Sequence, residues 1–139
     1  MTPFLKQLIE RGCITAAPDT PLKTITEVMT EQRIGTVVIC QDDKIAGIVS
    51  ERDVIRTIAK HGAIMGMVAA DIMTKEVKVI TPDINSTQIM EMMSRHQIRH
   101  VPITENGTLL GIVSITDVVR RLSEKTEEEA ALMREFINS

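Results

Sequence analysis

The two segments that decide the fold of this chain are Gly47-Ile48-Val49-Ser50-Glu51-Arg52-Asp53 and Gly111-Ile112-Val113-Ser114-Ile115-Thr116-Asp117. Both contain a glycine, two aliphatic residues, a serine, two variable residues and an aspartate. An apolar run that ends in serine, with an acidic residue three positions later, is typical of a strand running into a helix N-terminus. The sequence therefore predicts two copies of one strand-to-helix unit.

The similarity extends well beyond these segments. The stretch from Pro18 to Ile58 aligns without a gap on the stretch from Pro82 to Leu122, at an offset of 64 residues. Identical pairs include Pro18/Pro82, Asp19/Asp83, Ile25/Ile89, Glu27/Glu91, Met29/Met93, Asp53/Asp117 and Arg56/Arg120. A repeat of this length indicates that one supersecondary unit is present twice.

Each copy shows the same order of hydrophobic periodicities. A helical face comes first (Leu22, Ile25, Val28 and Met29 in the first copy), followed by two β-branched runs and a second helix. The runs predict hairpins at 36–40 with 45–49 and at 101–104 with 109–113, and Asn106-Gly107 suits a tight type I′ turn. Short strands at 13–16 and 77–80 complete a βαββα unit.

One such unit has an apolar sheet face that it cannot cover alone. We therefore expect an α/β fold in which two tandem βαββα repeats pack sheet to sheet with pseudo-twofold symmetry. Residues 1–65 are predicted to form the first repeat with an N-terminal helix, and residues 66–125 the second. Residues 126–139 are predicted to form a charged helical tail, and the three parts together make one module.

Composition argues against several functional classes. The formal net charge is -3, and Phe4 and Phe136 are the only aromatic residues, so a nucleic-acid partner is not expected. The N-terminus lacks the apolar core of a signal peptide and no stretch is long enough to span a membrane. We expect a cytoplasmic protein in which Cys13 and Cys40 act as small hydrophobic residues.

Catalysis is not expected, and neither is a metal site. His61, His96 and His100 are scattered along the chain, and the sequence contains no metal-ligand spacing or paired catalytic carboxylates. The sequence predicts no catalytic residue.

The repeated Ser-x-x-Asp segment has two interpretations. Ser50 with Asp53, and Ser114 with Asp117, can form capping boxes that stabilise helix N-termini. The same helix starts present free N–H groups that suit phosphate oxygens, and an aspartate there can accept both ribose hydroxyls. The two interpretations are compatible.

A basic pair, Arg99-His100, precedes Val101-Pro102 in the second copy, where the first copy has Gly35-Thr36 in register. These residues are either ordinary surface residues or part of an anion site, because positive charge is concentrated here in an acidic chain.

The duplicated unit, the two Gly-Ile-Val-Ser-x-x-Asp segments and the Arg99-His100-Val101-Pro102 strand together resemble a tandem cystathionine β-synthase (CBS) domain pair, or Bateman module. The resemblance covers nearly the whole chain. It implies a regulatory module that often forms a disc-like homodimer. It also implies clefts that bind adenosine-type ligands: AMP first, then ATP or ADP, NAD and S-adenosylmethionine.

The resemblance also implies a role for individual residues. Asp53 and Asp117 match ribose-binding positions, Ser50 and Ser114 match hydroxyls at the helix start, and Arg99 with His100 match a phosphate-binding pair. Further positions expected near a ligand, as motif neighbours, adenine-slot residues or apolar walls, are Arg52, Thr116, Thr15, Ala17, Ile80, Thr81, Ile48, Ile112, Val101 and Pro102.

The first copy lacks the basic pair and offers Arg33 and Arg52 instead, so the two clefts are expected to be unequal. The competing hypothesis is a protein-interaction or dimerisation module that needs no ligand. In either case the regulated protein is not identified by the sequence.

Overall fold

The computed structural model describes residues 1–138, and within them the chain forms six helices and five strands. In chain order these are α1 (Pro3–Arg11), β1 (Thr15–Ala16), α2 (Leu22–Gln32), β2 (Thr36–Gln41), β3 (Lys44–Ser50), α3 (Glu51–His61), α4 (Ala69–Ile72), α5 (Ser86–His96), β4 (His100–Glu105), β5 (Thr108–Ser114) and α6 (Ile115–Asn138). The predicted α/β class and the duplicated unit are confirmed.

Both predicted hairpins are present. The turn between β2 and β3 is Asp42-Asp43, with φ angles of 54° and 64°, and the turn between β4 and β5 is Asn106-Gly107, with 53° and 80°. Two successive residues of positive φ are what a type I′ turn requires, and its twist matches that of the flanking strands. Asn and Gly adopt this conformation more readily than two aspartates, yet both hairpins keep the same turn.

The outer strands are shorter than predicted. β1 spans Thr15–Ala16 instead of residues 13–16, and in the second repeat only Ile80 pairs, through a parallel bridge to Ile103. The reason in the second repeat is Pro102. Its counterpart Val38 donates its N–H to the Ile14 carbonyl at 3.3 Å, whereas proline has no N–H to donate.

The two repeats are related by a pseudo-twofold axis, as predicted. The sheet order is β1-β2-β3-β5-β4, and β3 meets β5 at a single antiparallel bridge between Lys44 and Thr108. These two residues occupy the same position in the two repeats. Equivalent residues that pair with each other must lie beside the symmetry axis, which therefore runs between them.

Each repeat has its own apolar core, built from equivalent positions. Six pairs are buried in both repeats: Ile25/Ile89, Met29/Met93, Val37/Val101, Ile39/Ile103, Val49/Val113 and Val54/Val118. The helical members follow spacings of three and four, and the strand members alternate, so each set faces its own sheet. The matched pattern explains why the gapless sequence alignment was sufficient to predict the repeat.

The two leading helices cross over between the repeats. Leu5 and Leu8 of α1 pack in the core of the second repeat, and Ala69 of α4 packs in the core of the first. Glycine permits this passage, because a Cβ at Gly111 would lie 3.1 Å from the Leu8 carbonyl oxygen and one at Gly47 would lie 2.8 Å from that of Thr74. The N-terminal helix is thus held against the second repeat.

Helix α6 continues without a break from the second repeat into the predicted charged tail. It spans 24 residues and ends at Asn138, while Ser139 lies outside the described residues. Among the residues described, no helix combines the length and apolar character needed to cross a bilayer.

Candidate functional site

A cleft of about 590 Å³ opens between the two repeats. The first repeat supplies the segment 12–14 and residues around the start of β2, and the second supplies side chains from β4, β5 and the start of α6. We call it the Ser114 cleft, and its walls are Arg11, Gly12, Cys13, Ile14, Arg33, Ile34, Gly35, Thr36, Val38, His100, Ile112, Ser114 and Thr116. Its volume lies in the range of small-molecule sites in proteins.

Four of the residues predicted from the sequence meet in this cleft: His100, Ile112, Ser114 and Thr116. Arg33, named as a substitute phosphate partner, faces the same space. The cleft therefore combines the second-repeat motif with a cation from the first repeat.

Other predicted residues lie elsewhere. Ile80 and Val101 are 4% and 0% exposed and belong to the second core, and Pro102 is also buried. Arg99 and Thr81 are exposed, as is Ala17, while Thr15 borders a separate cavity of about 210 Å³ beside α2.

The first-repeat motif occupies the symmetry-related position. Ile48 and Ser50 lie at the end of β3, and Arg52 and Asp53 lie in the first turn of α3. Ser50 and Asp53 form a complete capping box, since the Asp53 N–H donates to Ser50 Oγ at 3.2 Å and the Ser50 N–H donates to Asp53 Oδ2 at 2.8 Å. The capping interpretation is confirmed here, and Gly62 caps the C-terminal end of α3.

The second motif is capped in the same way. The Asp117 N–H donates to Ser114 Oγ at 3.1 Å, and the Ser114 N–H donates to Asp117 Oδ2 at 2.9 Å. A cap of this kind fixes the first turn of α6, where the N–H of Ile115 donates to the Arg99 carbonyl at 2.8 Å and the N–H of Asp117 is held by Ser114. Within residues 1–138, this leaves the N–H of Thr116, a residue that lines the cleft, for a ligand. The start of a helix carries partial positive charge, so this end of the cleft suits an anion.

Asp117 differs from Asp53 because it has a cationic partner. Arg11 Nη1 donates to Asp117 Oδ1 at 3.0 Å and Nη2 donates to Oδ2 at 2.9 Å, while Nη2 also donates to the Ile112 carbonyl at 3.1 Å. The Asp117 side chain is 6% exposed and that of Arg11 is 49% exposed. The pair joins α1 to α6 across 106 residues of sequence.

The environment of Asp117 favours its charged form. Burial alone would raise the pKa of this carboxyl, but the hydrogen bonds from Arg11 and Ser114 outweigh burial and hold its pKa below the ordinary value. The hydrogen bond to Asp117 in turn raises the pKa of Arg11. Asp117 is therefore a carboxylate at neutral pH, with most of its acceptor capacity already in use.

Asp53 has no such partner within residues 1–138. Its hydrogen bonds come from the Ser50 N–H and hydroxyl, and both reach Oδ2. Lys75, which occupies the position equivalent to Arg11, forms no ion pair in the described part of the chain. Asp53 Oδ1 thus remains available, and the two aspartates are chemically unequal.

Arg11 is the residue that sequence reasoning missed. The offset of 64 places Arg11 opposite Lys75, so a repeated cation at this point was visible in the sequence. Its partner was not visible, because the contact depends on α1 crossing to the second repeat.

His100 lies at the junction of the repeats. Its Nδ1 shares a hydrogen bond with Thr36 Oγ1 at 3.0 Å. Burial lowers the pKa of His100 below its ordinary value, Asp117 and Glu51 oppose that shift, and Arg99 adds to it. The imidazole is therefore neutral at pH 7, and the fixed cations bordering the cleft are Arg11 and Arg33.

Metal ligands do not cluster in the described part of the chain, where no group of three or more His, Cys, Asp or Glu residues could hold a metal ion. Cys13 and Cys40 are both free thiols, partly buried, and burial raises the pKa of each. Neither thiol has the lowered pKa of a reactive cysteine.

A duplicated βαββα unit with a polar cleft at the repeat junction defines a class of tandem α/β modules. The chain belongs to the CBS domain family, whose family model matches it twice, over residues 5–60 and 68–124. Both matches include the Gly-Ile-Val-Ser-x-x-Asp segment of the repeat.

Individual relatives agree with this assignment. The CBS domain-containing protein CBSX3, mitochondrial, from Arabidopsis thaliana is 34% identical over 115 residues, which cover 78% of this chain and 56% of the relative. The chain thus spans about half the length of that protein.

Solved structures give the same fold. The CBS-domain containing protein ATU1752 from Agrobacterium tumefaciens is 35% identical, with a TM-score of 0.78 and coverage of 85% of this chain and 98% of that one. The CBS domain pair of protein MJ0100, solved in complex with 5′-methylthioadenosine and S-adenosylmethionine, is 22% identical with a TM-score of 0.78, covering 86% and 95%.

Proposed function

We propose that this chain is a regulatory CBS pair that binds an adenosine-type nucleotide in the Ser114 cleft and acts as an energy or metabolite sensor. The observation that carries the proposal is the composition of the cleft, where the capped N-terminus of α6 lies in the same cavity as Arg11 and Arg33. Helix N–H groups and guanidinium groups are the usual protein ligands of phosphate.

The rest of the cleft suits the remainder of a nucleotide. Ile14 and Ile112 offer apolar contacts for a base, and Asp117 lies directly behind Arg11 as an acceptor for ribose hydroxyls. AMP is the first candidate, followed by ADP, ATP, NAD and S-adenosylmethionine. The MJ0100 pair supports this choice of ligand class, since a CBS pair of the same fold holds two adenosine derivatives.

Asp53, with its available Oδ1, is proposed as the second ribose acceptor in the symmetry-related position. By the 64-residue offset, the cations Lys75, Arg99 and Arg52 are equivalent to Arg11, Gly35 and Thr116 of the Ser114 cleft. The two positions are then unequal in charge, and we expect them to differ in affinity.

The proposed output is a change in assembly or in contact with a separate regulated protein. A ligand that contacts both repeats stabilises the repeat arrangement it fits best, and so shifts the population towards that arrangement. The proposed partner is a second copy of the chain, because Ile55 and Val119, at equivalent positions of α3 and α6, are 65% and 49% exposed.

The test is isothermal titration of AMP, ADP, ATP, NAD and S-adenosylmethionine into ligand-stripped protein. Asp117→Asn and Asp53→Asn are compared, because asparagine retains an acceptor for the helix cap while losing the charge. We expect micromolar binding of one compound that one of the variants weakens by about tenfold or more. Absence of binding at millimolar concentration would instead favour the ligand-independent interaction module.

A further inference from the structure

Arg11 separates the Ser114 cleft from Asp117. The guanidinium lines this cleft and also borders a second cavity, of about 240 Å³, between α1 and α6. Of these two cavities, Asp117 borders the second and not the first, together with Phe4, Gln7 and Arg120. A molecule in the Ser114 cleft therefore meets the arginine before it meets the carboxylate.

The carboxylate has little capacity left for a ligand while Arg11 holds it. Oδ1 accepts from Nη1, and Oδ2 accepts from both Nη2 and the Ser114 N–H. Charge-assisted bidentate bonds are roughly twice as strong as neutral ones. The two hydroxyls of an uncharged nucleoside cannot replace such a pair without a net loss.

A phosphorylated ligand changes this balance, because a phosphate offers the guanidinium an equally good bidentate partner. Arg11 can then leave Asp117 and remain paired, and the uncovered carboxylate can accept the ribose hydroxyls. The exchange replaces the carboxylate pair with a phosphate pair, and the 3.1 Å bond from Nη2 to the Ile112 carbonyl is given up at the same time.

On the basis of the proposed function, we propose that Arg11 is the residue that makes the Ser114 cleft select phosphorylated nucleotides over uncharged nucleosides. It does so by covering Asp117 until a phosphate draws the guanidinium away.

The surroundings of Arg11 permit this movement. The residue ends α1 and its side chain is 49% exposed, and a Cβ placed on the following Gly12 would meet no atom within 4 Å. Leu5 and Leu8 remain packed in the second core, so the side chain can rotate while the helix stays in place. The proposed selection of phosphorylated nucleotides applies to the Ser114 cleft alone, since Lys75 forms no ion pair with Asp53 in residues 1–138.

The test compares the affinities for AMP and for adenosine in an Asp53→Asn background. This substitution removes the carboxylate of the symmetry-related position, so that binding is measured at the Ser114 cleft. With Arg11 present, AMP should bind about tenfold or more tightly than adenosine. Arg11→Ala should reduce the ratio of AMP affinity to adenosine affinity by about tenfold. AMP should bind more weakly, because its phosphate loses the guanidinium. Adenosine should bind about threefold more tightly, because Asp117 is uncovered. Adenosine affinity that falls or stays the same in Arg11→Ala would overturn the proposal.

Two further variants complete the design. Arg11→Lys keeps the charge but lacks the planar fork, so it should remain folded and give an intermediate ratio. Lys75→Ala removes a cation at the equivalent position and should leave the ratio of AMP affinity to adenosine affinity unchanged. If Lys75→Ala changed this ratio as much as Arg11→Ala does, the effect would be one of general charge and the proposal would be overturned.

Failure of this inference differs from failure of the proposed function. If AMP and adenosine bind but their ratio is the same in all variants, the role of Arg11 is refuted and nucleotide binding stands. If neither compound binds any variant, nor the protein with Asp53 intact, both are refuted.

Discussion

Thr36 Oγ1 and His100 Nδ1 lie 3.0 Å apart, and these two residues occupy the same position in the two repeats. Together with the Lys44 to Thr108 bridge, they mark the pseudo-twofold axis at two points. Both side chains also line the Ser114 cleft. The axis therefore passes through the wall of the candidate site, and a ligand there contacts the junction of the repeats directly.

The first prediction concerns His100 and pH. Its folded-state pKa lies below the ordinary value of 6.5, chiefly because the side chain is buried. The unfolded chain binds the proton more readily, so the stability contributed by the neutral imidazole is present above that value and is lost as pH falls below it. As pH is lowered from about 7.5 to about 5.5, the free energy of unfolding of the wild type should decrease relative to that of His100→Asn, as measured by urea denaturation at each pH.

The control for this experiment is His96→Asn. His96 is exposed at the end of α5, so this variant makes the same substitution at an exposed histidine and is compared with His100→Asn at each pH. A difference between wild type and His100→Asn that is constant with pH would contradict the prediction.

The second prediction concerns the two helix caps. Ser50→Ala and Ser114→Ala each remove a side-chain acceptor from the first turn of a helix. Each should lower the free energy of unfolding by about 1 kcal/mol. Ser94→Ala, at an exposed site inside α5, is the matched control and should change stability by less than about 0.5 kcal/mol. Equal effects of all three substitutions would show that the caps contribute nothing specific.

Much of this architecture was predictable from the sequence, for a physical reason. The pairs Ile25/Ile89 and Val37/Val101 are buried because the same periodicity covers the same sheet face in each repeat. The short outer strand of the second repeat was also predictable, since Pro102 lacks the N–H that Val38 donates. That signal was present in the sequence and was not used.

The Arg11 to Asp117 pair could not have been predicted in the same way. It depends on which repeat α1 packs against, and Leu5 and Leu8 would fit either core by hydrophobicity alone. The local Ser-x-x-Asp motif predicts the helix cap at Asp117, but the cation that binds its carboxylate, Arg11, lies 106 residues away in the sequence. The fold follows from repeated local patterns, whereas the occupation of the Asp117 carboxylate by Arg11 follows from one long-range contact.

The third prediction concerns this pair itself. A double-mutant cycle with Arg11→Ala and Asp117→Asn should give a coupling energy of about 1–2 kcal/mol in the free energy of unfolding, because Asp117 is buried and Arg11 is half exposed. The pKa of Asp117 is lowered in the folded state, so this coupling is present above the ordinary value of 3.8 and is lost as pH falls through the lower folded-state pKa. The same cycle with Lys75→Ala and Asp53→Asn should give no measurable coupling.

The fourth prediction concerns assembly. Ile55 and Val119 occupy equivalent positions on α3 and α6 and are 65% and 49% exposed, so the pseudo-twofold axis relates two exposed apolar positions to each other. A twofold contact between two copies through these positions would be isologous, with each copy offering the same residues to the other. Ile55→Glu and Val119→Glu should each shift the protein from dimer to monomer in light scattering coupled to gel filtration. Met65→Glu is the control, since Met65 is equally apolar and 72% exposed but lies in the loop after α3. A monomeric wild type would refute the proposed dimer, and a dimer unaffected by both the α3 and the α6 substitution would place the contact on another surface.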